Sequence, residues 1–250
     1  MGWQTAGKRP ALPHWTLWVR MARPGFLVVT AIGCVLGMAS AQAAGAFTSA
    51  ALACVTVVLA LMLHAAANML NDHADAINCA DAANTQGLYP FTGGSRMVQT
   101  GQVDAQDMHR VAWVLLTLVA VAGVWLAART GWALLGLGLV GMALGWVYSM
   151  PPLALMARGL GEVAVGLAWG LVVVVADYVQ RGQFSWQAAA VAAGFAALVA
   201  NILIGNGFPD APSDAAVGKR TMVVRLGTQR AAMMYLGLAL WAHGALAAWV

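Results

Sequence analysis

The chain has 250 residues, 61% of them hydrophobic and 9% charged, and a net charge of +4. A soluble domain carries roughly 25% charged residues and leaves much of its surface wet at this size. The composition therefore excludes an ordinary soluble fold, a disordered chain and a fibrous repeat, and fits a lipid bilayer as solvent. The basic excess then reads as positive loops on one side of a membrane in preference to a nucleic-acid surface. The three cysteines are scattered, Cys34 and Cys54 in apolar runs and Cys79 in a polar loop. They form no disulfide framework.

Residues 1–24 are polar and basic, with Lys8, Arg9, Arg20 and Arg23. An apolar run follows over 25–45. It ends in small residues that resemble a signal-peptidase site, but the run is too long for a signal h-region and more spans follow, so it reads as a retained first helix. Further apolar runs cover 47–70, 111–128, 131–149, 160–179, 186–206 and 231–250, each near the about 20 residues a spanning helix needs. The expectation is an all-α, polytopic transmembrane bundle of about seven spans forming a single domain over 1–250. The polar connections are 71–110, 150–159 and 207–230. With the N-terminus inside, all three connections lie on the same side. Eleven of the 13 Lys and Arg residues then face inward, and only Arg129 and Arg181 face out. That bias predicts a multi-pass protein of the cell (inner) membrane with its N-terminus and both chemically rich loops cytoplasmic.

The second run ends in His64-Ala-Ala-Ala-Asn68-Met-Leu-Asn71-Asp72-His73-Ala-Asp75. Asn68, Asp72 and Asp75 are spaced i, i+4, i+7 with Asn71 beside them, one polar stripe on a helix end. Asp81 follows. Carboxylates at a membrane edge need a partner; the bland alternative is a solvated, capped helix end. The sixth run ends in Asn206-Gly-Phe-Pro-Asp210-Ala-Pro-Ser-Asp214, then Gly218-Lys219-Arg220-Thr221. Pro209 and Pro212 argue against one regular helix through it, and alone it reads as an Asp/Pro-rich turn. Together the two clusters offer hard oxygen ligands on one membrane face. Mg²⁺ takes such carboxylates together with water and substrate phosphate. Arg96, Lys219 and Arg220 are cations suited to diphosphate oxygens.

Here a resemblance enters. Asn71-Asp72-x-x-Asp75-x₅-Asp81 resembles the first aspartate motif of the UbiA superfamily of intramembrane aromatic prenyltransferases. Its spacing is similar to the branch acting on 1,4-dihydroxy-2-naphthoate for menaquinone. Asp210-x-x-x-Asp214 with Gly218-Lys219-Arg220-Thr221 and Val224-Arg225-Leu226-Gly227 resembles the second motif. Tyr148-Ser-Met-Pro151-Pro152-Leu and Arg158-Gly-Leu-Gly161-Glu162 resemble the central loop, and Gly93-Gly94-Ser95-Arg96 a naphthoate-type segment. The resemblance implies Mg²⁺-assisted ionisation of a prenyl diphosphate and attack by an electron-rich aromatic carbon. It implies Asp72, Asp75, Asp81, Asp210 and Asp214 as metal ligands. It implies Asn68, Asn71, Arg96, Arg158, Lys219 and Arg220 as substrate contacts, and the Tyr148 ring as a cation stabiliser. Such proteins usually have nine spans, so a truncated or short member is expected here. Hydroxybenzoate, homogentisate, chlorophyllide or lipid acceptors stay open as alternatives, as does a transporter using the aspartates as an ion path.

His73 and Cys79 lack zinc-site spacing. His64 reads as a packed helix histidine. Glu162 is either an intramembrane functional acid or a helix N-terminal acid. Asp177 and Arg181 read as a surface pair.

Overall fold

In lipid no water bonds a bare backbone, so a spanning apolar run satisfies its amides within a helix. The computed structural model describes residues 14–78, 84, 88, 92 and 94–247. Its helices are α1 (His14–Met21), α2 (Pro24–Ala43), α3 (Ala50–Ile77), α4 (Ala105–Thr130), α5 (Ala133–Ser149), α6 (Gly161–Arg181), α7 (Trp186–Ala216) and α8 (Met222–Ala247), with a 3-10 turn at Leu155–Arg158. Among the described residues each of the seven apolar runs lies mostly in a helix, and the chain is a multi-pass helical membrane protein.

The details differ from the sequence reading. Among the described residues five helices, α2, α3, α4, α6 and α7, are long and apolar enough to span; α5 has only 17 residues. α8 is broken by non-helical geometry at Gly227, φ 74° and ψ 163°, and is not one of the five. α1 falls in the stretch that reads in sequence as polar and basic. α3 runs seven residues past 70 to Ile77, so the first aspartate cluster is helical throughout. The expected break at Pro209 and Pro212 does not occur: α7 continues to Ala216. The prolines deprive the Gly205 and Phe208 carbonyls of their helical donors. Packing of α7 against both α6 and α8 holds the helix through that loss.

Two features set the frame of the bundle. Where α2 meets α6, Gly33 and Gly37 leave room for the partner helix. A Cβ at Gly37 would overlap the Val173 carbonyl and lie 2.8 Å from Ala176 Cβ. Small residues at such crossings let membrane helices approach without a hydrophobic driving force. The end of the bundle away from the aspartates is closed by α6. Gln180 Oε1 accepts from the Ser49 (2.9 Å) and Thr48 (3.1 Å) amides, and its Nε2 donates to the Ser49 carbonyl at 3.0 Å. Asp177, only 1% exposed, takes both Arg181 Nε and Nη2 at 3.0 Å, and Nη2 reaches the Ser40 carbonyl at 3.3 Å. The surface pair expected from the sequence is thus a buried clamp, because α2 covers it.

A Gly37→Ala substitution is expected to lower the thermal unfolding midpoint in detergent, by a loss of about 1–3 kcal/mol typical of overpacking. Gly25→Ala, where a Cβ meets nothing within 4 Å, is expected not to lower it.

Candidate functional site

The helical repeat of α3 places His64, Asn68, Asn71 and Asp75 at i, i+4, i+7 and i+11 on one face. All four line a cavity of about 610 Å³. Asp72 sits at the edge of that stripe and does not line the cavity. It is 2% exposed; its Oδ2 accepts the Ser95 amide at 3.1 Å, and Arg23 Nη1 stands 3.6 Å from Oδ1. The same guanidinium lies 3.5 Å from Asn71 Oδ1. Arg23 occupies the break between α1 and α2 with φ 54°, a left-handed conformation few non-glycine residues adopt. Pro24 follows, pre-set for the first position of a helix.

The facing wall is the end of α7, where Asn206, Asp210 and Asp214 line the same cavity. Asn84 Nδ2 donates to Asp210 Oδ1 at 2.7 Å. The chain leaves α7 through Gly218 at φ 79°, where a glycine is the natural residue for a left-handed helix end. It turns back so that the Lys219 amide bonds the Asp214 carbonyl at 2.9 Å, and the Arg220 amide bonds the Ala157 carbonyl at 2.9 Å. The Lys219 ammonium then contacts Asp75 Oδ1 and lies 3.7 Å from Asp214 Oδ1. One cation, buried at 6% side-chain exposure, joins the two aspartate clusters.

Around this centre, Asn71 Nδ2 donates to Asp75 Oδ2 and to Met156 Sδ, each at 3.1 Å. Tyr148 and the buried Glu162 complete the polar end of the cavity. Below it the walls turn apolar, with Leu59, Leu63, Val119, Leu137 and Val172. The cavity follows α3 down to Thr56, about 28 Å of helix rise from Asp75. Val124 and Leu139 both line it and are exposed, so it opens sideways between α4 and α5. One polar belt interrupts the apolar walls: His64 Nδ1 pairs with Thr30 Oγ1 at 2.8 Å, and its ring meets Trp169 edge-on at 4.7 Å.

Other expected site residues lie elsewhere. Arg158 is exposed and donates to the Pro152 carbonyl at 2.7 Å. Arg220 is exposed, and its carbonyl accepts from Arg225 Nε at 3.0 Å. Arg96, with φ 58°, follows the amide that holds Asp72 but does not line the cavity. Asp81, Cys79 and Gly93 lie outside the described residues. Four contributors escaped the sequence reading: Arg23, counted there only as a topology charge, Asn84, Met156 and the Ser95 amide. Arg23-Pro24 at a helix start was the one visible signal; the others come from loop and turn positions whose placement no spacing encodes.

Among the described residues no three His, Cys, Asp or Glu side chains converge as a ready metal cage. The donor chemistry nevertheless fits Mg²⁺, which takes one or two carboxylates and fills its octahedron with water and phosphate oxygens. Asp72 Oδ1 is buried without a hydrogen bond, and Asp75 and Asp214 present oxygens toward a single cation.

Comparison with known proteins shows the family and the fold. The profile of the UbiA prenyltransferase family matches residues 25–250. The 1,4-dihydroxy-2-naphthoate octaprenyltransferase of Mycobacterium tuberculosis is 31% identical over 223 residues, 88% of this chain and 73% of that protein. The 2-carboxy-1,4-naphthoquinone phytyltransferase of a Synechocystis species is 27% identical over 214 residues, 85% of this chain and 67% of that protein. A solved UbiA homologue from Archaeoglobus fulgidus, bound to GPP and Mg²⁺, superposes with a TM-score of 0.67 at 18% identity, covering 93% of this chain and 77% of its own. At that identity the likeness is one of fold.

Arg23→Gln is expected to lower the unfolding midpoint markedly, because it strands the buried Asp72 carboxylate; breaking a buried pair costs about 3–5 kcal/mol. Adding Asp72→Asn is expected to restore part of the loss. A double-mutant cycle of thermal midpoints measures the coupling.

Proposed function

The chain belongs to the UbiA prenyltransferase family, and we propose that it transfers the prenyl group of a polyprenyl diphosphate to 1,4-dihydroxy-2-naphthoate, with Mg²⁺, in menaquinone biosynthesis. That the chain is a prenyltransferase follows from the family. The acceptor, the metal and the residue roles are the proposal. The observation that carries it is the joining of both aspartate clusters through Lys219 at the polar mouth of a long apolar cavity.

The polar mouth suits a diphosphate and the apolar length suits its isoprenoid tail, with the opening between α4 and α5 giving a long tail access to lipid. Asp75 on one wall with Asp72 behind it, and Asp210 and Asp214 on the other, would hold Mg²⁺, which would supply positive charge to the departing diphosphate. Asn68 and Asn71 orient these groups: Asn71 fixes the Asp75 carboxylate, and Asn68 Nδ2 donates to the Ala22 carbonyl at 3.0 Å, anchoring α3 to the turn that carries Arg23. Arg23 and Lys219 are the site's own cations for phosphate oxygens. Tyr148 faces the cavity, where its ring can stabilise positive charge on the allylic carbon. The apolar walls exclude water, so the electrophile meets the aromatic carbon first. Exposed Arg158 and Arg220, set off the cavity wall, are assigned to the cytoplasmic rim in place of direct substrate contact. The naphthoate assignment is supported by the names of the relatives; hydroxybenzoate, homogentisate, chlorophyllide and lipid acceptors remain its competitors. The charge bias of the loops supports a cytoplasmic N-terminus and cytoplasmic aspartate clusters.

Asp72→Asn and Asp210→Asn are each expected to lower Mg²⁺-dependent diphosphate release by at least about 100-fold while the protein still inserts in the membrane. Diphosphate release from purified protein checks this, and full activity in both variants would overturn the metal assignment.

A further inference from the structure

We infer that Glu162 is the general base of the transfer, its carboxylate taking the hydroxyl proton of a phenolic acceptor as the ring carbon beside that hydroxyl attacks. This rests on the prenyl-transfer reading above. It adds to that reading a proton acceptor and the need for a hydroxyl on the acceptor ring.

Three observations carry the inference. First, Glu162 lines the cavity and is 7% exposed. Second, it lies in the first turn of α6, at the polar mouth. The backbone of Met156, whose Sδ takes Asn71 Nδ2, packs against Gly161, and the charge of Glu162 acts on Tyr148 together with that of Asp75. Third, its carboxyl is unengaged. The acids lining the cavity are Asp75, Asp210, Asp214 and Glu162. Asn71 and Lys219 hold Asp75, Asn84 holds Asp210, and Lys219 stands by Asp214. Among the described residues no other residue bonds or pairs with the Glu162 carboxyl, which takes only its own backbone amide.

Burying a carboxylate without a partner costs stability, and such a cost persists where a side chain serves a substrate. An ionised carboxylate only accepts hydrogen bonds, so the group that completes it is a donor, and an acceptor hydroxyl is one. In the step, the bond between the allylic carbon and the diphosphate oxygen breaks, and its electron pair leaves with the diphosphate. A π pair of the ring forms the new carbon–carbon bond. The neighbouring hydroxyl oxygen becomes a carbonyl as its proton passes to Glu162. With a naphthoate attacked at its carboxyl-bearing carbon, carbon dioxide then leaves, its bonding pair restores the aromatic ring, and Glu162 returns the proton to the oxygen. The carboxylate is regenerated and no further reactant is consumed.

The rival is a helix N-terminal acid favoured by the dipole. The test uses the whole protein in detergent with geranylgeranyl diphosphate, Mg²⁺ and 1,4-dihydroxy-2-naphthoate, and reads both prenylated product and the thermal unfolding midpoint. Glu162→Gln and Glu162→Met are expected to leave the midpoint unchanged or raised. The response of the midpoint to Mg²⁺ with the diphosphate is expected to stay as in wild type. Product formation is expected to fall at least about 100-fold, as for loss of a general base. The dipole role predicts the reverse, a lowered midpoint with product near the wild-type level. Wild-type product levels in Glu162→Gln, or a midpoint lowered in both variants, overturn the inference and leave the prenyl-transfer reading standing. So does loss of the diphosphate response in both variants, because Glu162 then serves the diphosphate. Folded wild type that makes no prenylated product from any phenolic acceptor overturns the prenyl-transfer reading and the inference with it.

Discussion

The structure turns on one buried cation between two helix ends. α3 and α7 each end in two aspartates in a protein with few charges, and carboxylates at a membrane edge need partners. Lys219 pairs with one from each helix, and Arg23 stands beside a third. This ties the end of α3 to the turn that follows α7, Asp75 and Lys219 lying 144 residues apart in the chain. Much else in the local structure serves that pairing. Gly218 ends α7 where the chain must turn back, the Arg220 amide fastens the turn to the central loop, and Asn71 holds the Asp75 carboxylate in place.

The bilayer supplies the second constraint. It leaves polar groups two places, the helix ends or a protein-lined interior. The opposite end of the bundle is sealed by Gln180 and the Asp177–Arg181 clamp, which consume their own hydrogen bonds. The aspartate end is different: several polar groups there face a cavity, and Asp72 Oδ1 and Asn84 Oδ1 are left without hydrogen bonds. On the proposed reading, the apolar shaft between them, with exposed Val124 and Leu139 of α4 and α5 in its lining, houses a long hydrocarbon tail beside a charged reaction centre.

Much of this was legible in the sequence. Apolar runs of near-spanning length give the helices because lipid leaves the backbone no alternative. The i, i+4, i+7, i+11 spacing from His64 to Asp75 gives one cavity wall because a helix has no freedom in its phase. The ordered motifs identify the family. Failures occurred where tertiary packing overrode local rules. Pro209 and Pro212 do not end α7, since neighbouring helices hold it. Asp177 is not at the surface, since α2 covers it. Arg23 was counted as a topology charge because nothing local shows that a left-handed turn delivers it to Asp72. Arg158 and Arg220 matched a motif, yet the 3-10 turn and the α7–α8 turn leave them exposed and off the cavity wall. A motif records which residues recur, not which way each one points.

The central claim is that a charged mouth and an apolar shaft together make one prenyl-transfer site. The most direct measurement supplies purified protein in detergent with geranylgeranyl diphosphate and 1,4-dihydroxy-2-naphthoate, with and without Mg²⁺. Lipid products are then read by mass spectrometry. The account predicts a prenylated naphthoquinol that forms only with Mg²⁺. Absence of any prenylated product across naphthoate, hydroxybenzoate and homogentisate acceptors, from protein shown to be folded, would contradict it.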